Sequence, residues 1–336
     1  SSADRQVFAS GLARKIKNPF DSIEYLGPMD IGGRTRAILI DRNNSDRIFA
    51  GGISGGLWHS EDRGESWSPV DDAAVSLAVS DIEQSPFDHN LIYYCTGEAR
   101  ANTAGVSGAG LFKSTDGGLS FDQLDSTSTD IKFDRCWCLE HSRQSSDTVY
   151  VGTEMGGLLR TTDGGVHWEA VLEGMAVTDI LCFEDGEVLA TASGEGIYHS
   201  ESGAPGTFSV VSSDVFPEEF QKVEIANCAA QVDVVYAAFE SPDRNEGAIL
   251  FCVSHDRGQT WTTRDTPDTG PSYNRYCFML AVHPSNPQFV LCGGKFPEFS
   301  HDGGASWQRA RNTHNDYHVL ATFHDNTDAL IVGNDG

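Results

Sequence analysis

From Thr35 onward the chain repeats one rhythm of apolar and polar positions. An alternating apolar stretch comes first, Thr35-Arg-Ala-Ile-Leu-Ile-Asp41, and a polar turn follows at 42–46. A second stretch ends in small residues, Arg47-Ile-Phe-Ala-Gly-Gly52, and a third, Gly56-Leu-Trp-His-Ser60, leads into a polar phrase. An aromatic then opens a fourth, Trp67-Ser-Pro-Val70. Alternation broken by turn residues every 8–12 positions predicts short strands. The third repeat predicts strands at 136–141, 148–152, 157–161 and 168–172, and the fifth at 223–229, 234–240, 248–254 and 261–264. No helix of ordinary length is predicted. Residues 221–230 could mimic one, but their place in the repeat argues for a strand.

The polar phrase recurs five times in the frame Ser/Thr-x-Asp-x-Gly-x-x-aromatic. It runs from Ser60 to Trp67, Ser114 to Phe121, Thr161 to Trp168, Ser254 to Trp261 and Ser300 to Trp307. A worn copy, Ser200 to Phe208, fills the long gap, so the aromatic positions fall 54, 47, 40, 53 and 46 residues apart. Self-similarity at that period indicates one small sheet per repeat. The predicted fold is all-β, a seven-bladed β-propeller of four-stranded antiparallel blades. The seventh unit begins at 318–323 and 329–333, and the N-terminal stretch Ser22-Ile-Glu-Tyr-Leu26 supplies a lone strand to complete it. Such closure removes open sheet edges. The third strand of that blade is missing, so the natural chain is expected to continue beyond Gly336, with further C-terminal modules. Residues 1–21 read as a lead segment and 22–336 as a single propeller, although the length of 336 alone would suggest two domains.

Composition narrows the partners. The net charge of −26 opposes binding to nucleic acid phosphates or anionic membranes. No apolar run is long enough to span a bilayer, and 1–9 lacks the layout of a signal peptide. If the protein is exported, that signal has already been removed. None of the eight cysteines lies in a C-x-x-C pair. Cys136 and Cys138 are placed on one face of a strand by simple alternation. Cys277 and Cys292 lie on strands expected to be neighbours, which makes them the first disulfide pairing to check in an oxidising compartment. Neither a metal nor another cofactor is expected. His314-Asn-Asp-Tyr-His318 has metal-ligand spacing only on a helix, and Asn43-Asn-Ser45 is a glycosylation sequon only in a glycosylating host.

Within the phrase, Asp can accept hydrogen bonds from turn amides, Gly allows conformations closed to other residues, and the aromatic buries apolar area. Asp62, Asp116, Asp163, Asp256 and Asp302, with Trp67, Phe121, Trp168, Trp261 and Trp307, are therefore expected to staple turns on the underside of the ring. The frame resembles the Asp-box, or BNR repeat, of sialidases, sortilin-type receptors and several glycoside hydrolases. Gly27-Pro-Met-Asp-Ile-Gly-Gly-Arg-Thr-Arg-Ala37, Ala50-Gly-Gly-Ile-Ser-Gly-Gly-Leu-Trp58, Thr96-Gly-Glu98 and 108–118 look like the sortilin- or Vps10-like propellers of large secreted bacterial proteins. That resemblance implies a secreted or cell-surface location in a bacterium.

Pockets favour concave mouths, and in a propeller the first strand of each blade lines the channel. The starts of those strands carry Arg34 and Arg36, Arg135, Asp179, Glu224, Arg275 and Tyr276, and Tyr317. Arg34, Arg135, Arg275, Tyr276 and Tyr317 are the candidates for binding a ligand, since guanidinium forks suit carboxylate or sulfate. Local pairing with Asp30 or Asp134 is the competing role. The insertion at 98–109 and the loop at 241–246 overhang the same face. Two functions follow. One is a binding or scaffold module of a larger extracellular protein, with protein or polysaccharide as partner. The other is a glycoside hydrolase or sialidase-like enzyme, which needs two carboxyl groups about 5–9.5 Å apart. Asp179, Glu224 and Glu98 are its candidate catalytic residues. The sialidase Phe/Tyr-Arg-Ile-Pro signature is absent, and xyloglucan hydrolases use two propellers with a cleft between them.

Overall fold

The computed structural model describes residues 34–71, 74–99, 105–271, 276–311 and 314–335. Among them are six four-stranded antiparallel sheets and one two-stranded sheet, with strands neighbouring one another in sequence order. The first blade comprises Thr35–Ile40, Ile48–Gly52, Gly56–Ser60 and Ser68–Pro69. Strand bounds in the third and fifth blades follow the predicted ones within a few residues, and the stretch 221–230 holds the strand Val223–Cys228 and no helix. One short 3-10 turn, Ile131–Phe133, is the only helical element among the described residues.

The first strands pack side by side around a common axis. Thr35–Ile40 meets Val79–Gln84, followed by Cys136–His141, Val177–Cys182, Val223–Cys228, Met279–His283 and Val319–Thr322, which returns to Thr35–Ile40. At this seam Thr35 N donates to Asn334 O at 3.0 Å. The fold is a β-propeller. The strand expected at 22–26 and the lead segment 1–21 lie outside the described residues.

The core lies between blades, because each sheet buries both faces. Tyr93 and Leu111 of the second blade pack on Leu139 and Val151 of the third, and Ala237 and Phe239 of the fifth on Leu189 and Ile197 of the fourth. The polar phrase forms the turn between third and fourth strands. In the second blade Asp116 Oδ1 accepts Ser114 Oγ–H at 2.7 Å and Ser120 N–H at 3.0 Å, while Oδ2 accepts Ser120 Oγ–H at 2.6 Å. These bonds, led by the Ser120 hydroxyl, lower the Asp116 carboxyl to about 2. Ser114 Oγ in turn accepts Gly118 N–H at 2.8 Å. Gly118 sits at φ +85°, and a Cβ there would stand 2.4 Å from Phe49 Cζ of the first blade. In the worn copy Ser202 replaces the aspartate, and Ser200 and Thr207 hydroxyls meet directly at 2.5 Å.

The first strands of four blades carry a bulge near their start. Pairing shifts between Thr35 and Ala37, between Val79 and Asp81, opposite Gly152 and Thr153, and between Val177 and Asp179. The extra residues are Arg36, Ser80, Trp137 and Thr178. A bulge re-aims the side chains that follow it. Cys136 therefore packs between the second and third blades, and Cys138 between the third and fourth, rather than on one face as simple alternation predicts. All eight cysteines are thiols. Cys277 Sγ contacts Pro271 O at 3.8 Å and Asp316 Oδ1 at 3.6 Å, and the first pairing to check, that with Cys292, is not formed.

Candidate functional site

The bulge at Arg36 lies where the first and last sheets meet, and it gathers a charged network there. Arg34 Nη1 donates to Glu98 Oε1 at 2.7 Å and reaches Tyr276 Oη at 3.4 Å. Arg36 Nη1 donates to Tyr276 O at 2.8 Å and touches His318 Nδ1. Tyr276 Oη donates to Asp335 Oδ2 at 2.6 Å, and His318 Nε2 bonds Asp335 Oδ1 at 2.5 Å. The Tyr276 ring lies under both guanidinium groups, 5.8 Å from Arg34 and 4.7 Å from Arg36. Burial brings Arg36 down to about 10, and its Nε and Nη2 make no hydrogen bond. Burial alone would raise Asp335, but the bonds from His318 and Tyr276 win and hold it at about 2. Glu98 is 2% exposed while the Arg34 side chain remains 30% exposed, so Arg34 is the member that presents charge to solvent.

A second group of charges occupies the starts of the fourth and fifth blades. Asp179 Oδ1 accepts Ile180 N–H and Oδ2 accepts Ile225 N–H of the next blade, each at 2.9 Å. Burial, reinforced by the charge of Glu224, pushes the Asp179 carboxyl well up. Glu224 pairs with Lys222, whose Nζ also lies 5.1 Å from the Trp137 ring. Asp81 repeats the Asp179 arrangement between the second and third blades, with bonds of 2.8 Å from Ile82 N–H and Leu139 N–H. These aspartates link neighbouring blades through backbone amides. The third nominated carboxylate, Glu98, belongs instead with Arg34.

The other nominated residues fall in different settings. Arg135 lies 3.7 Å from Asp134 and beneath the overhanging loop, where a Cβ at Gly105 would stand 3.6 Å from its guanidinium. Part of that loop, 100–104, and Arg275 lie outside the described residues. Tyr317 is 1% exposed in the core with Met279, Leu291 and Phe299, so its ring is not available at the mouth. The phrase turns lie at the opposite end of the strands, next to the turns joining first and second strands. Gly117 N donates to Asn90 O, Gly164 N to Asp147 O and Gly303 N to Gln288 O, each at 2.9 Å. Among the described residues no three His, Cys, Asp or Glu side chains gather to hold a metal ion.

A cavity of about 350 Å³ occupies the channel toward that same opposite end. Its wall includes Ile40, Ile82, Leu181 and Ile225, with Arg42, Glu83, Asn227 and His324 as polar members. None of the residues nominated from sequence lines it. Glu83 Oε1 is buried without a hydrogen bond, and Arg42 Nη2 stands 3.9 Å away. Glu140, one blade on, is held by Arg143 at 2.6 Å. Burial, then the Glu140 charge, pushes Glu83 up to about 8. No motif marks these residues. The signal available in sequence was faint, because Glu83 shares its strand, Val79–Gln84, with the polar residues Ser80, Asp81 and Gln84.

A family model described as sortilin, neurotensin receptor 3, matches residues 55–279. Among solved structures, the chain resembles the GH74 xyloglucanase from Xanthomonas campestris, with TM-score 0.69 and 16% identity over 90% of this chain and 51% of that one. It thus spans about half the length of that enzyme. It also resembles YCF48 from Cyanidioschyzon merolae, with TM-score 0.63 and 15% identity over 92% and 95% of the two chains. A structure of YCF48 bound to D1 peptide gives TM-score 0.62 and 17% identity over 91% and 92%. At such identities the likeness is one of fold. No curated protein matches the chain in sequence. No helix among the described residues is long and apolar enough to cross a membrane.

Proposed function

The chain belongs to the Sortilin-Vps10 family, and from that premise we propose that it is a secreted or cell-surface binding propeller within a larger extracellular protein. Its ligand is an anionic group of a protein or polysaccharide, received at the channel mouth beside Arg34. The observation that carries this reading is the asymmetry of the seam network. Glu98 is buried and paired, whereas the guanidinium it holds is partly open to solvent over an aromatic ring. A guanidinium fixed in place loses little entropy on taking a carboxylate or sulfate. The YCF48 structure bound to D1 peptide shows that one propeller of this fold takes a peptide, which favours a binding role.

The carbohydrate-enzyme alternative needs two carboxyl groups free to act on one bond. Both oxygens of Asp179 are occupied by backbone amides, and Glu224 and Glu98 each hold a cation. The reading is tested on arrays of anionic glycans and peptides, with Arg34, Arg135 and Arg275 each changed to Ala, alongside turnover assays on acidic and neutral polysaccharides. Binding that Arg34→Ala weakens at least tenfold is expected. Binding untouched by all three changes, or turnover abolished by Glu224→Ala or Asp179→Ala in a folded protein, would overturn it.

A further inference from the structure

Two of the five full phrases depart from the others at one position. The residue after the aspartate has a left-handed backbone in every full copy, and in three it is glycine: Gly117 at φ +77°, Gly164 at φ +72° and Gly303 at φ +67°. In the other two it is arginine, Arg63 at φ +61° and Arg257 at φ +56°, although that conformation strains any residue with a Cβ. Both guanidinium groups make the same set of contacts. Arg63 donates twice to Asp325, from Nη1 to Oδ2 at 2.7 Å and from Nη2 to Oδ1 at 2.9 Å. It also lies 4.4 Å from the centre of the Phe323 ring and reaches Asp46 of its own blade at 3.4 Å. Arg257 donates to Asp185 and, at 3.0 Å, to Glu187, lies 5.3 Å from the centre of the Phe183 ring and bonds Asp233 of its own blade at 2.6 Å. In each case a Phe-x-Asp run directly after the first strand of the neighbouring blade supplies the aromatic ring and a carboxylate. The blades that face the three glycine turns carry Asp41, Ser85 and Ala229 where that Phe stands. Arginine thus stands at the strained position where the facing blade offers it a ring and a carboxylate.

The two clasps differ in what else holds their blades together. The fourth and fifth blades follow one another in the chain, share a large apolar core and are linked by Asp179. The first and last are far apart in the chain and meet through folding. Their ties among the described residues include the bond from Thr35 N to Asn334 O, that between His324 Nε2 and Ile40 O at 3.0 Å, and the apolar cluster of Ile38, Ile40, Ile48 and Phe323. At the mouth, His318 of the last blade meets Arg36 of the first. Arg63 stands at the other end of the same seam. We propose that Arg63 latches the ring: its clasp on Phe323 and Asp325 holds the last blade against the first at the underside. Two parallel bonds to one carboxylate fix orientation as well as distance, and the aromatic face adds attraction to the same cation. The latch is independent of the ligand proposed at the mouth.

The test is amide hydrogen exchange of the whole chain, read by mass spectrometry, in wild type, Arg63→Gly, Asp325→Ala, the double variant and Arg257→Gly. Glycine relieves the strained backbone as it removes the clasp, so the global unfolding midpoint can stay level while the seam loosens, and local exchange is the deciding readout. Amides of Val319–Thr322 and Leu330–Gly333 should exchange about fivefold faster in Arg63→Gly and in Asp325→Ala, with the second to sixth blades unchanged. The double variant should exchange no faster than either single one, because both changes remove the same contact. Arg257→Gly, whose blades have other ties, should speed exchange of Val177–Cys182 by less than twofold. Asp325→Ala decides the matter if Arg63→Gly does not fold. The proposal is overturned if folded single variants leave the last blade's exchange unchanged, if the two effects multiply in the double variant, if all blades loosen equally, or if Arg257→Gly loosens its own interface as much.

Discussion

Changing Asp81 to Asn should reshape the pH dependence of stability in a way the structure specifies. Asp81 sits just after the bulge of its strand, and its two oxygens accept Ile82 N–H and Leu139 N–H. Burial pushes its carboxyl from an ordinary 3.8 up to about 7. Between those values the folded protein keeps a proton that the unfolded chain has lost. The favourable contribution is therefore complete below about pH 4 and declines as pH rises, by ~1.4 kcal/mol per unit and roughly 4 kcal/mol in all. Asn cannot ionise, so the variant lacks this decline. It retains one acceptor oxygen but turns an amide N–H toward the second backbone donor, at a cost of about 1–3 kcal/mol. Urea unfolding at pH 5, 6, 7 and 8 reads both effects. Asp81→Asn should be the less stable protein at pH 5, and between pH 5 and 8 the wild type should lose about 2.5 kcal/mol relative to it. Glu83, Glu140 and Asp179 are also raised and are present in both proteins, so the difference reports Asp81 together with the smaller effect of its charge on Glu83. Parallel pH curves would refute the assignment of Asp81 as a neutral, buried link between blades.

Asp179→Ala removes the acceptor of two amides, Ile180 N–H and Ile225 N–H, and should cost about 2–5 kcal/mol in denaturant unfolding; an unchanged midpoint would show that the link between the fourth and fifth blades carries no stability. Gly118→Ala combines a left-handed φ with a Cβ 2.4 Å from Phe49 Cζ and should cost about 2–5 kcal/mol. Gly206→Ala, at φ +74° but in open space, should cost only about 1–2 kcal/mol, and equal costs in thermal melts would refute the role given to the Phe49 contact.

Strand positions were legible because alternation and the recurring phrase agree in the five repeats that carry it in full, so local pattern and global fold point the same way. The worn copy shows how little of the phrase the turn requires, since Ser200 and Thr207 bond directly where the aspartate is absent. The mouth was less legible, because bulges break the period-two rule there. Arg36 and Trp137 are extra residues in their strands, and the same kind of displacement sends Cys136 and Cys138 into different inter-blade cores. Tyr317 lies beside the mouth in sequence yet is buried, because its ring fills the space next to Met279 and Phe299. Glu83 and Asp81 belong to no motif. Their importance comes from burial and from neighbours on other blades, which spacing along one chain does not reveal.

The most direct test of the binding reading is Glu98→Gln. Glu98 competes with any anionic ligand for Arg34, and it is also a candidate catalytic carboxylate of the enzyme reading. Affinity of wild type and variant for the strongest anionic glycan or peptide from the array, measured by titration alongside polysaccharide turnover, separates the two. A binding propeller gains affinity when the competing charge is removed, by about fivefold for a contribution of ~1 kcal/mol. No anionic binder, a weakened affinity in folded Glu98→Gln, or a turnover that the variant loses would contradict the account.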